Sequence, residues 1–139
     1  MQNTVKSNFR LMHIRNLAVL AKIDDVIDDE EYNFLCELAA RYEISIEEVN
    51  DIIDNLSNTK PEIPENINQR VGQLLDLIRM MMMDKRIDKR EVHFCQNVAI
   101  GFGFKKNIVE YLVKKYKGDP ENFAKWQELT FEANKYLVD

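Results

Sequence analysis

The strongest constraint on how this chain folds is that it repeats itself. Residues 24–31 read Asp-Asp-Val-Ile-Asp-Asp-Glu-Glu, and residues 84–91 read Asp-Lys-Arg-Ile-Asp-Lys-Arg-Glu. Both satisfy D-x-x-I-D-x-x-E: Asp24, Ile27, Asp28 and Glu31 are answered by Asp84, Ile87, Asp88 and Glu91 at an offset of 60 residues. The register runs far beyond the phrase. Arg10/Arg70, Leu17/Leu77, Phe34/Phe94, Ala39/Ala99 and Val49/Val109 are identical, and Leu38/Val98, Tyr42/Phe102, Ile44/Phe104 and Ile52/Leu112 are conservative pairs. A gapless match of apolar positions over this length identifies an internal duplication.

Within each copy the apolar residues recur at helical spacing. Asn8 to Lys22 predicts a first helix. Asp28 with Glu31 three residues on is a capping box, which opens a second helix whose inner stripe is Leu35, Leu38, Ala39 and Tyr42. Ser45 with Glu48 opens a third, with Val49, Ile52, Ile53 and Leu56 inward. Residues 57–64, with two prolines, read as a linker, and Pro64 sits at or just before a fourth helix over about 65–83. Met80, Met81 and Met83 fall where the first copy has Leu20, Ala21 and Ile23, so they read as core; Met82 falls opposite Lys22 and reads as exposed.

Asp88 and Glu91 repeat the capping box for a fifth helix, which Gly101 and Gly103 end. Lys105 opens the sixth where the first copy has Ser45, so one cap is lost. Asp119 and Pro120 start a seventh helix with no counterpart in the duplication. The expectation is therefore one all-α domain of about seven helices and no sheet. Its repeats span about 9–57 and 69–117, related by a pseudo-two-fold axis, with a capping helix over about 120–137. Three short helices bury little apolar surface by themselves, so the repeats are expected to share a core and neither half to fold alone.

Composition narrows the function classes. Among 139 residues, 4 Gly and 3 Pro with 31% charged residues suit a folded helical protein. No apolar run approaches the ~20 residues of a membrane helix, so stable membrane insertion is not expected. The stretch Met-Gln-Asn-Thr-Val-Lys lacks a signal-peptide core, which predicts a cytoplasmic location. Cys36 and Cys95 then read as reduced, buried thiols. Residues 1–69 carry 6 Lys/Arg against 14 Asp/Glu, while residues 70–139 carry 13 against 10. An acidic chain whose bases are interleaved with acids argues against a nucleic-acid partner.

Two three-helix repeats, each built on an acidic D-x-x-I-D-x-x-E corner, resemble the TerB-like family of tellurite-resistance proteins. The resemblance covers roughly residues 9–117 and rests on Asp24, Ile27, Asp28 and Glu31 with Asp84, Ile87, Asp88 and Glu91. It implies a compact, all-helical, cytoplasmic protein linked to tellurite and general stress resistance. It also implies that the acidic corners take a divalent cation. The family phrase usually carries glycine directly after the first aspartate; here Asp25 and Lys85 stand there, and neither shares glycine's freedom for a left-handed turn.

The residues themselves lead to the same corners. Asp24, Asp25, Asp28, Asp29, Glu30 and Glu31 place six carboxylates in eight residues with no base. Carboxylates that close repel one another unless something neutralises them, and a hard cation such as calcium or magnesium does so with oxygen ligands. The second corner carries its own neutralising Lys85, Arg86, Lys89 and Arg90, so the first is the better cation site. Capping alone explains Asp28 and Glu31 and is the simpler reading of them, and the spacing is not that of an EF-hand loop, since Val26 and Asp29 fall at its third and sixth positions.

Catalysis finds little support. His13 and His93 stand alone, His93 lies two residues from Glu91 and so points away from it on a helix, and no phosphate-binding glycine loop is present. The reading is a non-enzymatic module that binds an unidentified protein partner, with a divalent cation as modulator. A cation-binding protein in its own right is the alternative, and a hydrolase is a distant third.

Overall fold

The structure is a computed structural model that describes residues 8–23, 25–56, 63–83, 87–122 and 127–138. The fold is all-helical, and no strand occurs among the described residues. The helices are α1 (Asn8–Ala21), α2 (Asp29–Arg41), α3 (Ile46–Asp54), α4 (Ile67–Met83), α5 (Lys89–Gly101), α6 (Ile108–Gly118) and α7 (Gln127–Ala133). No helix of the described residues is long and apolar enough to cross a membrane. The chain divides into two compact units, Met1–Glu62 and Ile63–Asp139.

In the first unit α1 packs on both α2 and α3, and these two pack on each other. Ile14, Leu17 and Ala18 of α1, Leu35 of α2 and Val49 of α3 are fully buried. At ~1.5–3 kcal/mol for each large aliphatic side chain, this burial rather than helix propensity holds three short helices together. His13 is also fully buried and meets the Tyr42 ring edge-on, 5.8 Å between centroids. Arg15, farther along α1, donates through Nε to the Leu56 carbonyl at 2.6 Å and so fastens the exit of α3.

The second unit is built alike: α4 packs on α5 and α6, α5 on α6, and α7 lies against α4. Leu74, Leu77, Ile78, Met80 and Met81 fill its centre. Met82 and Met83 are both half-buried, so the methionine run does not end in an exposed side chain at Met82. α4 begins two residues later than its pattern suggests, because the Asn66 side chain accepts the Gln69 N–H at 2.8 Å and acts as the cap. Pro64 lies outside the helix, buried, with its carbonyl held at 2.7 Å by Arg70 Nε. A second Arg70 nitrogen donates to the Phe102 carbonyl at 3.0 Å.

Local features recur in the two units at the 60-residue offset. α2 and α5 each run 13 residues. Both end in the same arrangement: Ile44 N–H bonds Ala39 C=O at 2.9 Å, and Phe104 N–H bonds Ala99 C=O at 3.0 Å. That six-to-one bond turns the chain through a left-handed residue, Gly103 at φ 90° in one unit and Glu43 at φ 62° in the other.

The corner after α5 departs from its counterpart for a visible reason. Ser45 N–H is satisfied by Glu48 at 3.0 Å, whereas Lys105 has no such residue to call on and α6 starts only at Ile108, without a side-chain cap. The missing partner comes from much later in the chain. Lys105 N–H donates to Tyr136 C=O at 2.6 Å, Val138 N–H donates to Gly103 C=O at 2.8 Å, and Phe104 faces Leu137 in an isolated antiparallel bridge.

The seventh helix is therefore not continuous from 120 to 137. Pro120–Asn122 is a 3-10 turn, α7 has 7 residues, and Asn134–Tyr136 is again 3-10. Asn134 ends α7: its side-chain amide donates back to the Thr130 carbonyl at 3.1 Å and competes with the helical ladder. Leu137 is then extended, as the bridge requires. Phe123 and Trp126, expected on the face of that helix, lie outside the described residues.

Candidate functional site: the acidic corners

The α1–α2 corner is short. Lys22 and Ile23 close α1 with bonds to Ala18 and Leu20, and Asp25 N–H donates to Lys22 C=O at 2.9 Å. Asp25 sits at φ 76°, left-handed, although it is not glycine. The turn geometry that a glycine would favour is thus kept without one. Aspartate is among the few residues that tolerate it.

From Asp25 the chain extends to Asp28, the N-cap of α2. Asp28 Oδ1 accepts the Glu31 N–H at 2.7 Å, and Glu31 Oε1 accepts the Asp28 N–H at 3.1 Å. The expected capping box is present, and it draws the Glu31 side chain inward to 5% exposure. Asp28, Asp29 and Glu30 stay exposed around the helix start, where the positive end of the helix dipole favours carboxylates.

The second corner repeats the box with one added partner. Asp88 N–H donates to Glu91 Oε1 at 2.9 Å, and Glu91 is likewise 5% exposed. Asp88 also accepts the Arg90 N–H at 2.7 Å and pairs with the Arg90 guanidinium at 2.8 Å. The hydrogen bond from the Arg90 side chain, reinforced by its backbone N–H, holds the Asp88 carboxyl below the usual carboxylate range. Neutralisation from within this corner is therefore real for Asp88 and Arg90.

The structure thus brings Asp28 to Glu31 and Asp88 to Glu91, in each case through backbone amides. Asp24 and Asp84 lie outside the described residues, as do Lys85 and Arg86. Among the described residues no three His, Cys, Asp or Glu side chains converge as metal ligands. One oxygen of Asp28 and one of Glu31 already accept an N–H, and Glu31 is turned inward. The carboxylates left exposed at the first corner are those of Asp25, Asp28, Asp29 and Glu30. His93 and Glu91 diverge as their spacing demands, His93 exposed and Glu91 buried.

Two features of the corner region were not read from the sequence. Val26 is 67% exposed, the most exposed large aliphatic side chain among the described residues, while Ile27 beside it is half-buried. The signal was present: two adjacent apolar residues in an extended stretch point to opposite sides, so only one of them can turn inward. The other is a small polar cluster on α2 and α3. Tyr32 Oη donates to Asn50 Oδ1 at 2.7 Å, and a hydrogen bond with Cys36 raises the Tyr32 phenol above its ordinary range. Its positions in the second repeat hold Val92, Glu110 and Gln96, so the duplication gave no hint of it.

Cys36 is half-buried rather than buried. Cys95 is fully buried, and desolvation pushes its thiol up to about 12. Comparison with protein-family models, curated proteins and solved structures returns no match for this chain.

Proposed function

We propose that this chain is a non-enzymatic module that binds a protein partner at the α1–α2 corner, with a divalent cation as modulator of that corner. One observation carries the reading: Val26 stands 67% exposed beside the left-handed Asp25, among the exposed carboxylates of Asp25, Asp28, Asp29 and Glu30. A lone exposed valine is ordinary. One held at a strained turn, where the backbone costs ~1 kcal/mol or more to maintain, is a formed projection rather than an accident of packing. A partner that fits it offers a small apolar pocket rimmed with Lys or Arg. The D-x-x-I-D-x-x-E resemblance supplies the context of a tellurite- or stress-resistance system in the cytoplasm.

The test is a pull-down from the native cell with the unaltered chain and with Val26→Asp. The reading expects a partner that the first retains and the second loses while both melt alike. Equal recovery by both refutes it. The alternative of a cation-binding protein in its own right draws on the same four exposed carboxylates, which lie within six residues that contain no base. In that case calcium or magnesium at a hundred times the dissociation constant stabilises the fold by ~2.7 kcal/mol, and Asp24→Asn removes most of the effect.

A further inference from the structure

The charge on the outer helix faces changes sign between the two units. Asp29 and Glu30 are exposed at the start of α2, and Lys89 and Arg90 are exposed at the start of α5. Asp54 is exposed at the end of α3, and Lys114 is exposed on α6. Each pair occupies corresponding positions at the 60-residue offset. Other positions shift the same way: exposed Glu37 and Glu47 become exposed Asn97 and Asn107, while Ser45 and Ile46 become Lys105 and Lys106. Residues 1–62 hold 6 Lys/Arg against 13 Asp/Glu, a net charge of −7; residues 63–139 hold 13 against 11, a net charge of +2.

Local pairing does not cancel the basic face. Arg90 meets Asp88 at 2.8 Å and Lys114 meets Glu110 at 3.3 Å, but both cations are at least 65% exposed, and exposed pairs of this kind are weak and easily exchanged. Ile100, 53% exposed on α5, adds an apolar element to that side.

We infer that two copies of this chain associate, the acidic α2–α3 face of one against the basic α5–α6 face of the other. A repeat in which one copy has become acidic and its counterpart basic carries both halves of a complementary surface. An external basic partner would account for the acidic face alone, and an external acidic partner for the basic face alone. A second copy accounts for both. The contact joins unlike faces, so it closes into a dimer when made twice reciprocally and otherwise runs on from copy to copy. It shares Asp29 and Glu30 with the α1–α2 corner, but the substitutions that test it leave that corner unchanged, so the two readings fail separately.

Sedimentation velocity of the full chain over a range of concentrations tests the inference. At ~0.01 M ionic strength, where charges act over about 30 Å, the average mass rises with concentration; at ~1 M, where the range falls to about 3 Å, it returns to that of one chain. Glu37→Lys with Asp54→Lys takes four units of negative charge from the acidic face and leaves the basic face untouched, and Lys89→Glu with Lys114→Glu takes four units of positive charge from the basic face and leaves the acidic one untouched. Each variant alone sediments as a single chain at low salt, and an equimolar mixture of the two associates again. Because the mixture restores binding, loss in the separate variants cannot be put down to unfolding. A chain that stays single at low salt overturns the inference. So does association that survives either reversal, or a mixture that fails to associate.

Discussion

The two left-handed corners predict stability changes of opposite sign at corresponding positions. Glu43 and Gly103 occupy the same place, the residue after the C-cap of α2 and α5, at φ 62° and 90°. An L-residue in this conformation costs ~1–2 kcal/mol, and glycine avoids the cost but gives back ~0.4–1 kcal/mol through the greater freedom of the unfolded chain. Glu43→Gly therefore stabilises by ~0.5–1 kcal/mol, and Gly103→Ala destabilises by a similar amount. Sterics do not alter the second figure, because a Cβ at Gly103 would lie 3.6 Å from Arg70 Nη1, an ordinary contact. The measurement is urea denaturation followed by far-ultraviolet circular dichroism, with Glu43→Asn as the control for loss of charge, since asparagine also tolerates the left-handed region. For a chain of this size the matching melting shifts are about 2–4 °C, upward for Glu43→Gly and downward for Gly103→Ala. Shifts of the same sign at both positions would refute the view that backbone strain governs these corners.

Leu17→Ala and Leu77→Ala each remove a fully buried side chain from one unit, and each costs ~2–5 kcal/mol in denaturant midpoint analysis; a cost below 1 kcal/mol at either would place it outside the core. Arg90→Gln moves the Asp88 titration midpoint, followed by NMR, upward toward the ordinary carboxylate range, while the backbone N–H of residue 90 keeps part of the lowering. Because Asp88 is held low in the folded state, its stabilising contribution is present above that ordinary range and fades as pH falls through the lowered value. Cys95 resists thiol reagents at neutral pH until the chain unfolds, whereas the half-buried Cys36 reacts in the native state.

Much of the architecture was legible because capping and apolar periodicity are local. Asp28 with Glu31, Ser45 with Glu48 and Asp88 with Glu91 marked three helix starts, and all three boxes are formed. Gly103 marked the left-handed turn after α5. Its counterpart Glu43 could not be read by residue type, because nothing about a glutamate announces positive φ; only the alignment with Gly103 points to it. The end of the chain was misread for a different reason. Thr130, Ala133 and Leu137 have helical spacing, but the bond that decides the outcome runs from Lys105 to Tyr136, and no pattern within residues 120–137 contains it. The loss of Ser45's equivalent was visible in the sequence; its replacement by a distant carbonyl was not.

The same distinction governs the acidic corner. The count of six carboxylates suggested a cation, yet two of the six are accounted for by backbone geometry. Asp28 and Glu31 exchange hydrogen bonds with each other's amides, and the second corner forms the same pair in the presence of neighbouring bases, with Glu91 as deeply buried as Glu31. A feature that forms alike beside acids and beside bases is not set by the need for a cation. What differs between the corners is the residues outside the box: exposed Asp29 and Glu30 in the first, Lys89 and Arg90 in the second. Any function particular to one corner therefore belongs to these variable positions and to the projecting Val26, while the D-x-x-E box of Asp28 and Glu31, and of Asp88 and Glu91, is what starts the helix in both. Asp28→Ala separates the two roles. It removes the acceptor of the Glu31 N–H and costs ~1 kcal/mol with or without calcium, whereas Val26→Asp leaves the cap and the left-handed Asp25 in place and acts on binding.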